Sequence, residues 1–75
     1  MLKREIERYI AMRRAAGFAL RFTADILRDF GRFAIARGDC FVRGATLIAW
    51  ARRGRSPARR EYLLRVVIGF ARVDH

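Results

Sequence analysis

Six arginines stand in the stretch from Cys40 to Arg60, at Arg43, Arg52, Arg53, Arg55, Arg59 and Arg60, with no Asp or Glu among them. A guanidinium presents five donors in a rigid planar fork and matches phosphate oxygens two at a time. The dipeptide Ser56-Pro57 falls inside this run. Ser is a favoured helix N-cap and Pro a favoured first helical residue. A helix starting there adds unpaired backbone N–H groups and the positive end of its dipole to the arginines. The chemistry on offer is anion binding, with phosphate as the natural ligand. A solvated basic turn without a partner is the alternative, but six uncompensated charges repel one another in a free protein and favour a bound polyanion.

Other chemistry is poorly provided for. The only histidine is His75 and the only cysteine Cys40, and the seven acids are scattered. No glycine-rich phosphate loop, metal-ligand spacing or nucleophile with a nearby base is present. Asp25 and Asp29, four apart, read as helical partners of Arg21, Arg28 and Arg32 rather than as a catalytic pair, and Glu61 with Arg65 as another i, i+4 pair. Nothing flanking Tyr9 or Tyr62 supports a nucleophilic tyrosine. The expectation is a chain that is not itself an enzyme and takes no cofactor, metal or small-molecule substrate. A second basic strip, Arg21, Arg28 and Arg32 with Asp25 among them, reads equally as a solvated outer face or as further polyanion contact. Lys3, Arg4, Arg8, Arg13 and Arg14 alternate with Glu5 and Glu7 and read as ordinary surface.

Helices must carry these residues. Leu2, Ile6, Tyr9 and Ile10 recur at helical spacing, predicting a first helix from Leu2 to Ala16 closed by Gly17. A second, starting near Arg21 or Thr23 and ending at Arg37-Gly38, carries a stripe of Phe22, Ile26, Phe30 and Phe33, widened by Leu27 and Ala34. Gly31 inside it predicts close approach by a neighbouring helix. Residues 39–44 read as a loop. A short third helix from Ala45 to Arg53 has Leu47, Ile48 and Trp50 as apolar anchors. The fourth runs from Pro57 to about Val73 with Leu63, Val66, Val67 and Phe70 inward. No period-2 stretch predicts a strand. Phe22, Phe30, Phe33, Trp50 and Phe70 fall on inward stripes and read as core, not as a base-stacking platform.

The 75 residues make one domain, 1–75, and 53% hydrophobic residues suffice for a compact core. The net charge is +10, and Lys3 is the only lysine among 17 basic residues. A GC-rich genome explains Arg in place of Lys, but not the surplus of positive charge. The N-terminus is charged where a signal peptide needs an apolar run, and no segment approaches the roughly 20 apolar residues of a membrane span. The lone Cys40 fits a reducing cytoplasm.

Against this background the string Tyr9-Ile10-Ala11-Met12-Arg13-Arg14-Ala15-Ala16-Gly17-Phe18-Ala19-Leu20 resembles the opening of tyrosine recombinase core-binding domains. Leu27-Arg28-Asp29-Phe30-Gly31-Arg32-Phe33-Ala34, followed by Ala36-Arg37-Gly38, is similar to that family's second helix. Trp50-Ala51 resembles the third, and Ser56-Pro57-Ala58-Arg59 with Val66-Val67 and Gly69-Phe70-Ala71-Arg72 resembles the fourth. The chain departs from the pattern at Tyr62, Leu63 and Ile68, where the family carries basic residues.

The resemblance implies an all-α, SAM-like bundle of four helices in two crossed helical hairpins. It also implies a module that clamps double-stranded DNA while a separate domain, absent from this chain, cuts and rejoins strands. The second and fourth helices of the family face the major groove. Taken with the charge reading, this gives candidate DNA-binding residues Arg28, Arg32, Arg52, Arg53, Arg55, Ser56, Arg59, Arg60 and Arg65. Other recombinase subunits on DNA are expected partners, the isolated domain is expected to be monomeric, and a bacterial cytoplasm with nucleoid association is the expected location. Three other classes stay open: a helix-turn-helix protein built on the third and fourth helices, a protein-interaction domain, including a decayed recombinase remnant, and, last, membrane-surface binding, which needs a helix to detach from the core.

Overall fold

The computed structural model describes residues 1–74, with side chains as far as Val73; His75 lies outside the described residues. Four helices follow one another: α1 (Leu2–Ala15), α2 (Arg21–Ala36), α3 (Gly44–Ala51) and α4 (Pro57–Asp74). No strand occurs among the described residues, so the fold is an all-helical, four-helix bundle. α1 packs with α2 and α3 with α4, and the two hairpins meet through α2 against both α3 and α4 and through α1 against α4. No described helix is long and apolar enough to cross a membrane.

Local chemistry sets the helix ends. At the end of α1, Gly17 takes a φ of +95°, the Phe18 N–H donates to the Arg13 carbonyl and the Gly17 N–H to the Arg14 carbonyl. Gly38, at φ +85°, repeats this arrangement at the end of α2, where the Asp39 N–H donates to the Ala34 carbonyl and the Gly38 N–H to the Ile35 carbonyl. Both are glycine-capped Schellman ends, which satisfy carbonyls the helix would otherwise leave orphaned. Ser56 caps α4 as its type predicts: its Oγ accepts from the Arg59 N–H at 3.1 Å.

The core draws on all four helices. Leu2, Ile6 and Ile10 of α1 meet Leu27, Phe30 and Ala34 of α2, Leu47 and Trp50 of α3, and Leu63, Val67 and Phe70 of α4. Two edge-to-face aromatic pairs tie separate helices together: Tyr9 with Phe70 at 5.4 Å between centroids, and Phe30 with Trp50 at 5.1 Å. Gly31 is the close approach expected of it, because a Cβ there would stand 2.8 Å from the Ile6 side chain.

Three expectations are corrected. Phe22 is not core but 71% exposed. Each four-residue step along an α-helix overshoots a full turn by about 40°, so Phe22 lies about 80° around the helix from Phe30 and off the buried arc. Phe33, on the same drifting stripe, is only partly buried. Ile48 is exposed and anchors nothing, since Leu47 and Trp50 already fill the inward side of a helix of eight residues.

Candidate nucleic-acid interface

The basic run folds around the junction of α3 and α4. α3 ends at Ala51, and the chain turns through residues 52–56 into α4. The turn is tight: the Arg53 N–H donates to the Trp50 carbonyl, and the Gly54 N–H to the Ala51 carbonyl. A Cβ on Gly54 would come within 3.2 Å of the Ala51 carbonyl oxygen and the Arg60 amide nitrogen. Arg60 fastens the turn from the other side, its Nε donating to the Gly54 carbonyl at 3.0 Å.

Beside this turn lies a cleft of about 610 Å³. One wall is the turn and the start of α4, with Arg53, Arg55, Arg59 and Leu63. The other is α2, with Asp25, Ile26 and Asp29, and Trp50 closes one end. Among the described residues, none of Arg52, Arg53, Arg55 and Arg59 has a carboxylate within ion-pairing distance, and all four are exposed. Two of them rest on aromatic rings. The Arg53 guanidinium is 5.4 Å from the Phe33 ring centroid, and that of Arg59 is 5.5 Å from Tyr62. Stacking on a ring limits the wandering of the side chain while the edge of the fork keeps its donors for a ligand.

The acids of the cleft have different duties. Asp29 accepts from the indole Nε1 of buried Trp50 at 2.9 Å and lies 3.6 Å from Arg32. Of the expected α2 pairings only Asp29 with Arg32 forms, and Asp25 has no ion pair or hydrogen bond among the described residues. Farther along, Asp39 accepts from the Thr46 hydroxyl and stands 3.4 Å from Arg43, tying the loop to the start of α3.

The nine candidate residues therefore separate into five that gather at the turn and four that pair within the protein, Arg32 with Asp29 among them. Arg52, Arg53, Arg55, Ser56 and Arg59 come together at the turn and cleft. Arg32 sits on the outer ridge of α2, between this cleft and a groove on the α1 side that it lines with Lys3, Ile6 and Ile35. Three others already have partners inside the protein. Arg28 holds Glu7 of α1 with two bonds, Nε to Oε2 at 2.7 Å and Nη2 to Oε1 at 2.8 Å. This bond is the main cause that lowers the Glu7 pKa below its ordinary value and raises that of Arg28. Arg60 is taken up by Gly54, and Arg65 pairs with Glu61 at 2.8 Å, the i, i+4 partner its spacing indicates.

Sequence reading did not find the α2 wall of the cleft, because Asp29 and Trp50 lie 21 residues apart and no local pattern joins them. Comparison of the chain with protein-family models, with curated proteins and with solved structures finds no match.

Proposed function

We propose that this chain is a duplex-DNA-binding domain that grips the phosphate backbone through arginine, and that it serves as the non-catalytic core-binding domain of a tyrosine-type site-specific recombinase or integrase. One observation carries the DNA reading: Arg52, Arg53, Arg55 and Arg59 crowd around one turn, exposed and without a carboxylate in pairing distance among the described residues. Such a cluster raises the energy of the free protein and is relieved by a polyanion. The neighbouring N-terminus of α4, capped by Ser56, contributes a partial positive charge of the same sign. The recombinase assignment is supported by the four sequence segments that resemble the family and by the agreement of their order with the four-helix architecture. In this reading the chain supplies grip and register, and strand chemistry belongs to another domain.

Fluorescence anisotropy of labelled duplex DNA, titrated at several salt concentrations, tests this. Neutralisation of about five phosphates gives a slope of log K against log salt near −4 to −5. Replacing Arg55 and Arg59 together by Ala flattens the slope by about two, because each lost phosphate contact removes about 0.9. Arg60 is left in place in this variant, since it fastens the turn. Absence of binding at low salt overturns the reading, and an unchanged slope in the double variant overturns the placement of the contact surface.

A further inference from the structure

The cleft between α2 and the α3–α4 turn is not a uniform basic surface, and its asymmetry has a consequence for what part of a duplex it meets. The turn and the start of α4 present Arg53, Arg55 and Arg59, whereas the opposite wall presents Asp25 and Asp29. Asp29 is engaged by Trp50 and Arg32. Asp25 is exposed and, among the described residues, has no partner. An ionised carboxylate only accepts hydrogen bonds and repels a phosphate. A DNA strand seated on the arginine wall therefore cannot also lay its phosphates over Asp25 and Asp29 on the opposite wall. The α2 wall is left facing the edges of the bases.

Phe22 stands on this face as well. Residues 22, 25, 26 and 29 follow i, i+3, i+4, i+7 spacing, and Phe22 is 71% exposed although its large apolar ring gains nothing from water. Along the helix axis Phe22 and Asp25 are about 4.5 Å apart, comparable with the roughly 3.4 Å between successive bases of one strand.

The major groove offers two hydrogen-bond donors, the amino groups of cytosine and adenine. Adenine sets an acceptor, N7, beside its amino group, which would repel a carboxylate; cytosine does not. The thymine methyl is the apolar feature of the same groove, and Phe is among the side chains that meet it. Resting on the duplex-binding reading above, we infer that the exposed face of α2 selects the base sequence, with Asp25 accepting from a cytosine amino group and Phe22 covering the methyl of a neighbouring thymine.

The test begins with enrichment of bound duplexes from a randomised pool, followed by anisotropy on the enriched site. Wild type is expected to retain a cytosine next to a thymine, to bind about tenfold more weakly when that C·G pair becomes T·A, and to weaken a few-fold when the thymine is replaced by uracil. Asp25→Ala is expected to bind random duplex more tightly, because a repulsive charge is gone, while the cytosine preference falls to within twofold. Asp25→Asn, able to donate as well as accept, is expected to move the preference to adenine. In Phe22→Ala the difference between thymine and uracil disappears. Both positions are exposed, and unchanged circular dichroism and melting of the variants show the fold intact. Salt-dependent binding without sequence preference, or a preference that Asp25→Ala leaves in place, overturns the inference while the DNA reading stands. Failure to bind any duplex overturns both.

Discussion

Asp29 shows how one side chain on a basic surface can belong to the interior. Its Oδ2 accepts a hydrogen bond from the indole N–H of Trp50, a residue only 2% exposed. A buried donor left without its acceptor costs about 1–3 kcal/mol. Asp29→Ala is therefore expected to lower the stability measured by urea unfolding by that amount, while Asp29→Asn, which keeps an acceptor oxygen, loses much less. Equal midpoints for the alanine variant and wild type would contradict this role. Among the described residues, Glu7 and Arg28 form the other long-range polar link, between α1 and α2. The Glu7 pKa is lowered from 4.5, chiefly by the hydrogen bond from Arg28. A carboxyl whose folded pKa is depressed contributes stability above its unfolded value and loses it as pH falls through the folded value. Acid unfolding followed by circular dichroism should show this contribution intact above about pH 4.5 and declining below it. In Glu7→Gln that part of the pH dependence should be missing. Both links join residues 21 apart in sequence. The arginine-to-acid pairings visible locally were the i, i+3 and i, i+4 ones, and Arg65 with Glu61 and Arg32 with Asp29 do form.

Among the elements, the turn before α4 and the start of α4 carry what the proposed interface needs. Arg52, Arg53 and Arg55 stand in the turn and Arg59 in the first turn of α4, whose start is defined by the Ser56 hydroxyl on the Arg59 N–H. Removing such a cap costs about 1 kcal/mol. Ser56→Ala should lower stability by about that much in thermal or urea unfolding. Ser56→Asp should restore it, since Asp also caps, yet weaken duplex binding by placing a negative charge among the arginines. A variant that lost stability and kept full affinity would separate the cap from the interface. Helix ends were legible in the sequence because each is set within a few residues: Gly17, Gly38 and Ser56-Pro57 all act where their types indicate. The third helix is the exception: the sequence pattern predicts Ala45 to Arg53, whereas α3 starts at Gly44, after the extended backbone of Arg43, and ends at Ala51, where the Arg53 and Gly54 N–H groups turn back to the Trp50 and Ala51 carbonyls.

For the molecule as a whole, 75 residues must hold together a net charge of +10. A domain of this size buries only about 60% of the surface its unfolded chain exposes. Four helices therefore share one small core, to which both hairpins contribute. Phe70 is 1% exposed and meets Tyr9 of α1 edge to face. Truncation of a buried Phe to Ala costs about 3–5 kcal/mol, a large part of the 5–15 kcal/mol that stabilises a typical domain. Phe70→Ala should unfold at much lower temperature, or show no cooperative transition by calorimetry. A melting temperature within a few degrees of wild type would mean that the two hairpins do not depend on this contact. The same thin margin makes the crowding of Arg52, Arg53, Arg55 and Arg59 costly to the free protein.

By itself the sequence determined the number of helices, most of their ends, most of the buried side chains and the excess of positive charge. Each of these follows from interactions within one or two helical turns, or from composition alone. Tertiary packing decided which charges remain available. Arg28 is claimed by Glu7 of another helix and Arg60 by the Gly54 carbonyl, whereas Arg53, Arg55 and Arg59 meet across a cleft from Asp25 and Asp29. It also decided that Phe22 faces outward, although its spacing matches that of buried Ile26 and Phe30. The reason is geometric: periodicity gives the angle between residues on one helix, but only the neighbouring helices determine which arc of that helix is covered.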